Sequence, residues 1–151
     1  MERGFSFAPE QCIQCHACAV ACKSWRNVEP GVRYRWVENV WSGCYPEVRC
    51  TSTTTACRQC DDPPCAAVCP EGALTQRLED GIVVVDAALC SGCRACLGAC
   101  PEAIPQFGAD GRMQKCDLCL GRIDPATDEP PCVATCPTHA LEFGPSGVSR
   151  L

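Results

Sequence analysis

Cys90-Ser-Gly-Cys93-Arg-Ala-Cys96-Leu-Gly-Ala-Cys100-Pro101 decides how the rest of the chain is read. Its spacing is C-x2-C-x2-C-x3-C-P, at which three thiolates on a tight loop cap three irons of a 4Fe–4S cube and the fourth reaches a neighbouring cube. Gly92 and the small residues between the cysteines let the backbone curl so that its N–H groups point at the sulfurs, and Pro101 ends the short helix carrying Cys100. A chain organised around such a stretch is expected to conduct electrons, not to enclose a reaction.

Three further groups of four cysteines surround it. Upstream lies Cys57-Arg-Gln-Cys60-Asp-Asp-Pro-Pro-Cys65-Ala-Ala-Val-Cys69-Pro70, where Pro63-Pro64 stiffens a longer loop and about one helical turn is predicted between Cys65 and Cys69. The first group, Cys12-Ile-Gln-Cys15-His-Ala-Cys18-Ala-Val-Ala-Cys22, repeats the central spacing, but Lys23 follows it where a proline would stop the helix. A helix is therefore predicted through Ala19 to Trp25. The fourth group is split into Cys116-Asp-Leu-Cys119 and Cys132-Val-Ala-Thr-Cys136-Pro137 by residues 120–131, a charged stretch with Pro125, Pro130 and Pro131 that reads as a surface loop. His16 sits within the first group, but four thiolates are already present there, so it is expected to face solvent or to hydrogen-bond outside the ligand set.

Between the groups, Asp80-Gly81 and Asp110-Gly111 read as hairpin turns, the first flanked by residues 73–79 and 82–86, and Ala140-Leu-Glu-Phe143 as a last strand. The tails Pro-Glu-Gly-Ala-Leu at 70 and Pro-Thr-His-Ala-Leu at 137 repeat, which points to two similar halves. Residues 26–56 are the least regular. Pro30-Gly31 reads as a turn and the alternation from Val32 to Trp41 as a strand, while Thr51 to Thr55 reads as a polar approach to the second group. Trp25, Trp36 and Trp41 are expected to fill the core, with an exposed aromatic docking patch as the alternative. Cys44 and Cys50 fall outside the four groups and are expected to be buried free thiols.

Cysteine accounts for 18 of 151 residues, an excess that puts metal or disulfides ahead of hydrophobic packing as the support of the fold. Sixteen thiolates and four oxidised cubes would take the formal net charge from −5 to about −13, which makes nucleic acid an unsuitable partner. Lys23, Arg58, Arg94 and Lys115 are the cations expected to offset that charge and favour the reduced state. The longest aliphatic run, Ile82 to Val85, is too short to cross a bilayer, so no direct membrane insertion is expected. The start Met-Glu-Arg-Gly-Phe-Ser-Phe-Ala-Pro lacks an apolar signal core; a cytoplasmic location is expected, with export in folded form on a twin-arginine partner as the alternative.

Zinc is the serious competing ligand, since C-x2-C pairs suit it; triplets, and a distant Cys-Pro ligand, do not. A disulfide framework is weaker still. In Cys12-Ile-Gln-Cys-His-Ala-Cys, Cys60-Asp-Asp-Pro-Pro-Cys, Asp80-Gly-Ile-Val-Val-Val-Asp and Met113-Gln-Lys-Cys-Asp-Leu-Cys, most of the chain resembles the four-cluster ferredoxin subunits that accompany pterin oxidoreductases of the dimethyl sulfoxide reductase, nitrate reductase and formate dehydrogenase kind. Its short form is similar to the small subunits found with tungsten aldehyde oxidoreductases.

The resemblance implies four 4Fe–4S clusters, since Cys93 is kept where some relatives lose it, and crosses the first group with the fourth and the second with the third. One cluster would take Cys12, Cys15, Cys18 and Cys136; the next Cys116, Cys119, Cys132 and Cys22; the third Cys57, Cys60, Cys65 and Cys100; the last Cys90, Cys93, Cys96 and Cys69. The implied fold is α+β, two ferredoxin-like modules of short helices and β-hairpins with little conventional hydrophobic core, within a single unit 1–151. Module one would comprise 1–30 and 112–151, module two 55–111, and 31–54 would be a connecting insert. No catalytic constellation, pterin site or phosphate loop is present. The implied role is a non-catalytic relay between a molybdenum- or tungsten-pterin subunit and a second redox carrier or subunit, with a free-standing polyferredoxin as the runner-up.

Overall fold

The computed structural model describes residues 3–124 and 127–145. Their strands form four two-stranded antiparallel sheets, joined by short helices, in an α+β arrangement. The two described ends of the chain pair with each other. Strand β1 (Arg3–Phe7) lies antiparallel to β8 (Leu141–Pro145), with Phe5 opposite Phe143 and Phe7 opposite Leu141. Alternation makes this work: Phe5 and Phe7 fall on one face, with Ser6 between them on the other. That face packs on Cys22, Cys132, Val133 and Leu141, and the Phe5 and Phe143 rings lie 5.3 Å apart at 47°.

Helix α1 (Ala17–Arg26) is the longest described helix and begins two residues earlier than its sequence signals suggest. Asn27, at φ 51°, closes it in the left-handed conformation, and the Val28 N–H reaches back to the Lys23 carbonyl at 3.0 Å. The other helices are single turns: α2 (Pro64–Ala67), α3 (Ala95–Ala99) and α4 (Pro131–Ala134). α1 packs on α4, and α2 on α3.

Hairpin β4 (Leu74–Gln76) with β5 (Val83–Val85) forms where Asp80-Gly81 predicts it, with Gly81 at φ 73° and the Asp80 carboxylate accepting from the Ile82 N–H at 3.0 Å. β6 (Gln106–Phe107) and β7 (Met113–Gln114) pair around Asp110-Gly111 in the same manner. Residues 120–124 and 127–129 run largely along the surface, as expected of the insert; Pro125 lies outside the described residues.

Three expectations for residues 26–56 are corrected. Residues 51–55 are not a polar approach: they belong to β3 (Arg49–Ala56), which pairs along its whole length with β2 (Arg35–Ser42). The tryptophans do not fill the core, since Trp25 is 46% and Trp41 68% exposed and only Trp36 is half-buried. Cys44 is exposed and Cys50 half-buried; neither is a buried thiol. The exposure of Trp41 and Cys44 has one cause, that the far half of the β2–β3 hairpin is largely exposed and its base is packed, whereas Trp25 is exposed on α1. No described helix is long and apolar enough to cross a membrane.

Candidate functional site

The same backbone turn recurs in all four cysteine groups. The residue before the second cysteine has positive φ in each: Gln14 at 61°, Gln59 at 53°, Gly92 at 73° and Leu118 at 55°. Successive N–H groups in such a turn form a concave nest suited to an anion, including iron–sulfur sites. Only one of the four is glycine, so sequence inspection finds the nest only at Gly92. There glycine is doubly required, because a Cβ would sit 2.6 Å from the Gly111 carbonyl oxygen. Left-handed His16 and Arg94, at 59° and 64°, then start α1 and α3 and set Cys18 and Cys96 in their first turns. His16 is exposed.

The groups also close alike. Behind Cys69-Pro70, Cys100-Pro101 and Cys136-Pro137, the cysteine carbonyl accepts from the N–H of Gly72, Ala103 and His139 at 3.3, 3.1 and 3.3 Å. Each of those three residues has positive φ, and each is followed by a buried side chain, Ala73, Ile104 or Ala140. The third occurrence, Pro101-Glu-Ala-Ile, is too divergent to read as a repeat from its letters.

Tertiary packing then brings cysteines from different groups together. Cys57, Cys60 and Cys65 of the second group and Cys100 of the third line one cavity with about 470 Å3 of atom-free space, part of it open to solvent. Lys115 borders the same cavity, is 5% exposed, and directs its ammonium hydrogens to oxygen: the Val83 carbonyl, the Cys116 carbonyl at 3.0 Å and Gln59 at 3.4 Å. Burial raises the Cys65 thiol against the pull of that ammonium. Burial also raises Cys60, helped by charge at Cys57 and Cys100. Beside this cavity Cys65, Cys69 and Cys90 pack against a buried cluster of Leu74, Val83, Cys96 and Met113, and the Cys96 thiol is raised first by burial.

In the other part of the molecule Cys22 and Cys132 share a buried core against which Cys18 and Cys136 pack. Burial, followed by charge at Cys132, pushes Cys22 up to about 12; the same two causes push Cys119 up to about 11. Cys116 is raised by burial and then by charge at Cys57 and at Cys22, so it stands between the two gatherings. Cys136 is the exception. Burial raises it but is outweighed by the N–H donors of Leu141, Thr138 and Ala140 and the Thr138 hydroxyl, which lower it. Cys12 is half-buried, while Cys15 and Cys93 are exposed. The raised thiols are protonated at neutral pH, so loading with metal must release protons.

Of the four cations expected to offset cluster charge, only Lys115 is buried. Lys23, Arg58 and Arg94 are exposed, Arg58 paired with Glu102 and Arg94 stacked 5.0 Å from the Phe107 ring centroid. Sequence inspection missed Arg35, which is 3% exposed beside Cys18 and Cys22. Among the described residues no three His, Cys, Asp or Glu side chains close around a point as one metal ion requires. Zinc–thiolate bonds are about 2.3 Å; a ring of four thiols about a cavity fits a larger group, and soft thiolates with N–H nests fit an iron–sulfur cube.

Thiols gathered from paired groups in this way define a protein of the iron–sulfur, ferredoxin-like class. Residues 48–146 match the 4Fe-4S dicluster domain family. Over 94% of its length the chain is 41% identical to "Probable anaerobic dimethyl sulfoxide reductase chain YnfG" of Escherichia coli K12, spanning 73% of that protein. Over the same shares it is 39% identical to the B subunit of the anaerobic dimethyl sulfoxide reductase of that organism. It is 37% identical, over 90% of the chain and 78% of the relative, to the formate dehydrogenase iron-sulfur subunit of Wolinella succinogenes. The chain belongs to the 4Fe-4S dicluster family.

Proposed function

We propose that the protein is a non-catalytic electron-transfer subunit holding four 4Fe–4S clusters, and that it relays electrons between a molybdenum- or tungsten-pterin catalytic subunit and a second redox carrier or subunit. The observation that carries this is the cavity ringed by Cys57, Cys60, Cys65 and Cys100: three thiols of one group and the last thiol of the next around one space. Such exchange makes each segment between a third and a fourth cysteine span two clusters, which keeps neighbouring clusters close. The remaining sets are Cys90, Cys93, Cys96 with Cys69; Cys116, Cys119, Cys132 with Cys22; and Cys12, Cys15, Cys18 with Cys136. Packing of Cys69 and Cys90 against the buried cluster that contains Cys96 supports the first of these, and the core shared by Cys22 and Cys132, with the charge of Cys119 felt at Cys22, supports the second. The two halves follow the same pairing, 1–30 with 112–151 and 55–111.

Each cluster supplies uptake and release of one electron at a time; the chain supplies sulfur, N–H nests, fixed charge and exclusion of water. Relatives named for dimethyl sulfoxide reductase, sulfite dehydrogenase and formate dehydrogenase support a pterin-enzyme partner, within which aldehyde oxidation is the narrower proposal. Anaerobic purification tests this. The expected product is brown, with iron and acid-labile sulfide for about four cubes per chain, and a co-purifying chain carrying molybdenum or tungsten. Stoichiometric zinc without sulfide would overturn the cluster assignment, and a loaded protein with no pterin partner would favour a free-standing polyferredoxin.

A further inference from the structure

The β2–β3 hairpin contributes none of the sixteen ligands, yet its base carries the more deeply buried of the two buried cations among the described residues. Arg35 Nη1 donates to Thr54 Oγ1 at 3.1 Å, and the guanidinium carbon lies 4.1 Å from the centroid of the Phe5 ring. Nη2 is buried and has no hydrogen-bond partner. None of the ion pairs among the described residues includes Arg35. A guanidinium keeps its proton, and burying it without an anion is strongly unfavourable, so the position calls for negative charge nearby.

Among the described residues the groups that interact with this charge include the thiols of the first cysteine group. Thr54 Oγ1, which holds Nη1, is 4.0 Å from Cys18 Sγ. The Arg35 charge also counters the burial that raises the Cys18 thiol, and it acts in the same direction on Cys22 and Cys116 of the neighbouring set. Lys115 offers the contrast, because oxygen atoms already take its hydrogens.

We propose that Arg35 is the buried counter-charge of the cluster held by Cys12, Cys15, Cys18 and Cys136, and that it raises that cluster's reduction potential. The proposal rests on the ligand sets given above. Reduction adds an electron to a group that is already anionic, so a fixed positive charge beside Cys18 stabilises the reduced form more than the oxidised one. The hairpin then also serves to deliver charge to that cluster.

The test is an EPR-monitored redox titration of the loaded protein, following the signal that Cys18→Ser removes. In Arg35→Gln that cluster should reduce about tenfold less readily, a midpoint lower by about 59 mV for a one-electron couple. The signal that Cys93→Ser removes should keep its midpoint, and Arg35→Lys should restore most of the loss. An unchanged midpoint at full iron content, or an equal shift of every signal, overturns the proposal. If Arg35→Gln fails to load, Arg35→Met replaces it, an uncharged side chain of similar length that leaves Thr54 in place: a downward shift of the same signal supports the role, and an unchanged midpoint overturns it. Wild-type protein lacking iron and sulfide would instead overturn the ligand sets, before any variant is made.

Discussion

Helices α1 and α3 begin alike and end differently. Each starts at a left-handed residue between the second and third cysteines of its group, yet α1 runs for ten residues and α3 for five. Proline disfavours helical geometry in the residue before it, and Cys100, before Pro101, is extended at φ −81° and ψ 118°. It leaves the helix and lines the cavity of the second group. Lys23 imposes no such turn, so Cys22 stays inside α1, buried against Cys132. The added length also ties the first group to the fourth, where Arg26 pairs with Asp117 at 2.7 Å and Arg122 donates to the Trp25 carbonyl, while Lys23 holds the Val32 carbonyl of the following loop at 2.7 Å. One residue after the fourth cysteine thus separates a helix that serves as a strut from one that only hands over a thiol.

The strongest way to break the comparison is to remove the two fourth cysteines. Cys22→Ser should lose the EPR signal that Cys116→Ser loses, and Cys100→Ser the one that Cys57→Ser loses; if Cys22→Ser and Cys12→Ser abolished the same signal, each group would close on itself. Next in size, Lys23→Pro writes the stop of α3 into α1. It should cost about 3 kcal/mol, seen as faster bleaching of cluster absorbance in denaturant, and an unchanged rate would show that the last turn of α1 contributes nothing. Asp117→Asn removes the charge that pairs with Arg26 and keeps the Oδ1 that accepts from the Cys119 N–H. With both side chains less than a quarter exposed, a loss of about 1 kcal/mol is expected in the same assay. The smallest effect belongs to Cys44→Ser, for an exposed thiol on the projecting hairpin: iron and sulfide per chain should match wild type, and loss of a whole cluster would refute the grouping.

The features legible in the sequence are those with local causes. Asp80-Gly81 and Asp110-Gly111 make their turns through side-chain acceptance two residues on, and need no distant partner. The β2–β3 hairpin was harder to see. Thr51 to Thr55 lacks an apolar alternation, and its strand character comes from pairing with residues of β2 such as Trp36 and Val40. Exposure of Trp41 defies the usual preference of tryptophan because the distal hairpin has no described partner layer above it.

By itself, the sequence determined the number and spacing of the thiols, the proline that ends each short helix and the two Asp-Gly hairpins, because each depends on residues within a few positions of one another. Only the tertiary structure decided that Cys100 lines one cavity with Cys57, Cys60 and Cys65, that left-handed turns recur at Gln14, Gln59 and Leu118 without glycine, and that Arg35 is buried beside Cys18. Spacing along the chain limits which loop a thiol can occupy. Which loops share a cavity is set by the pairing of β1 with β8 and the packing of α1 on α4 and α2 on α3, contacts between residues that sequence order keeps apart.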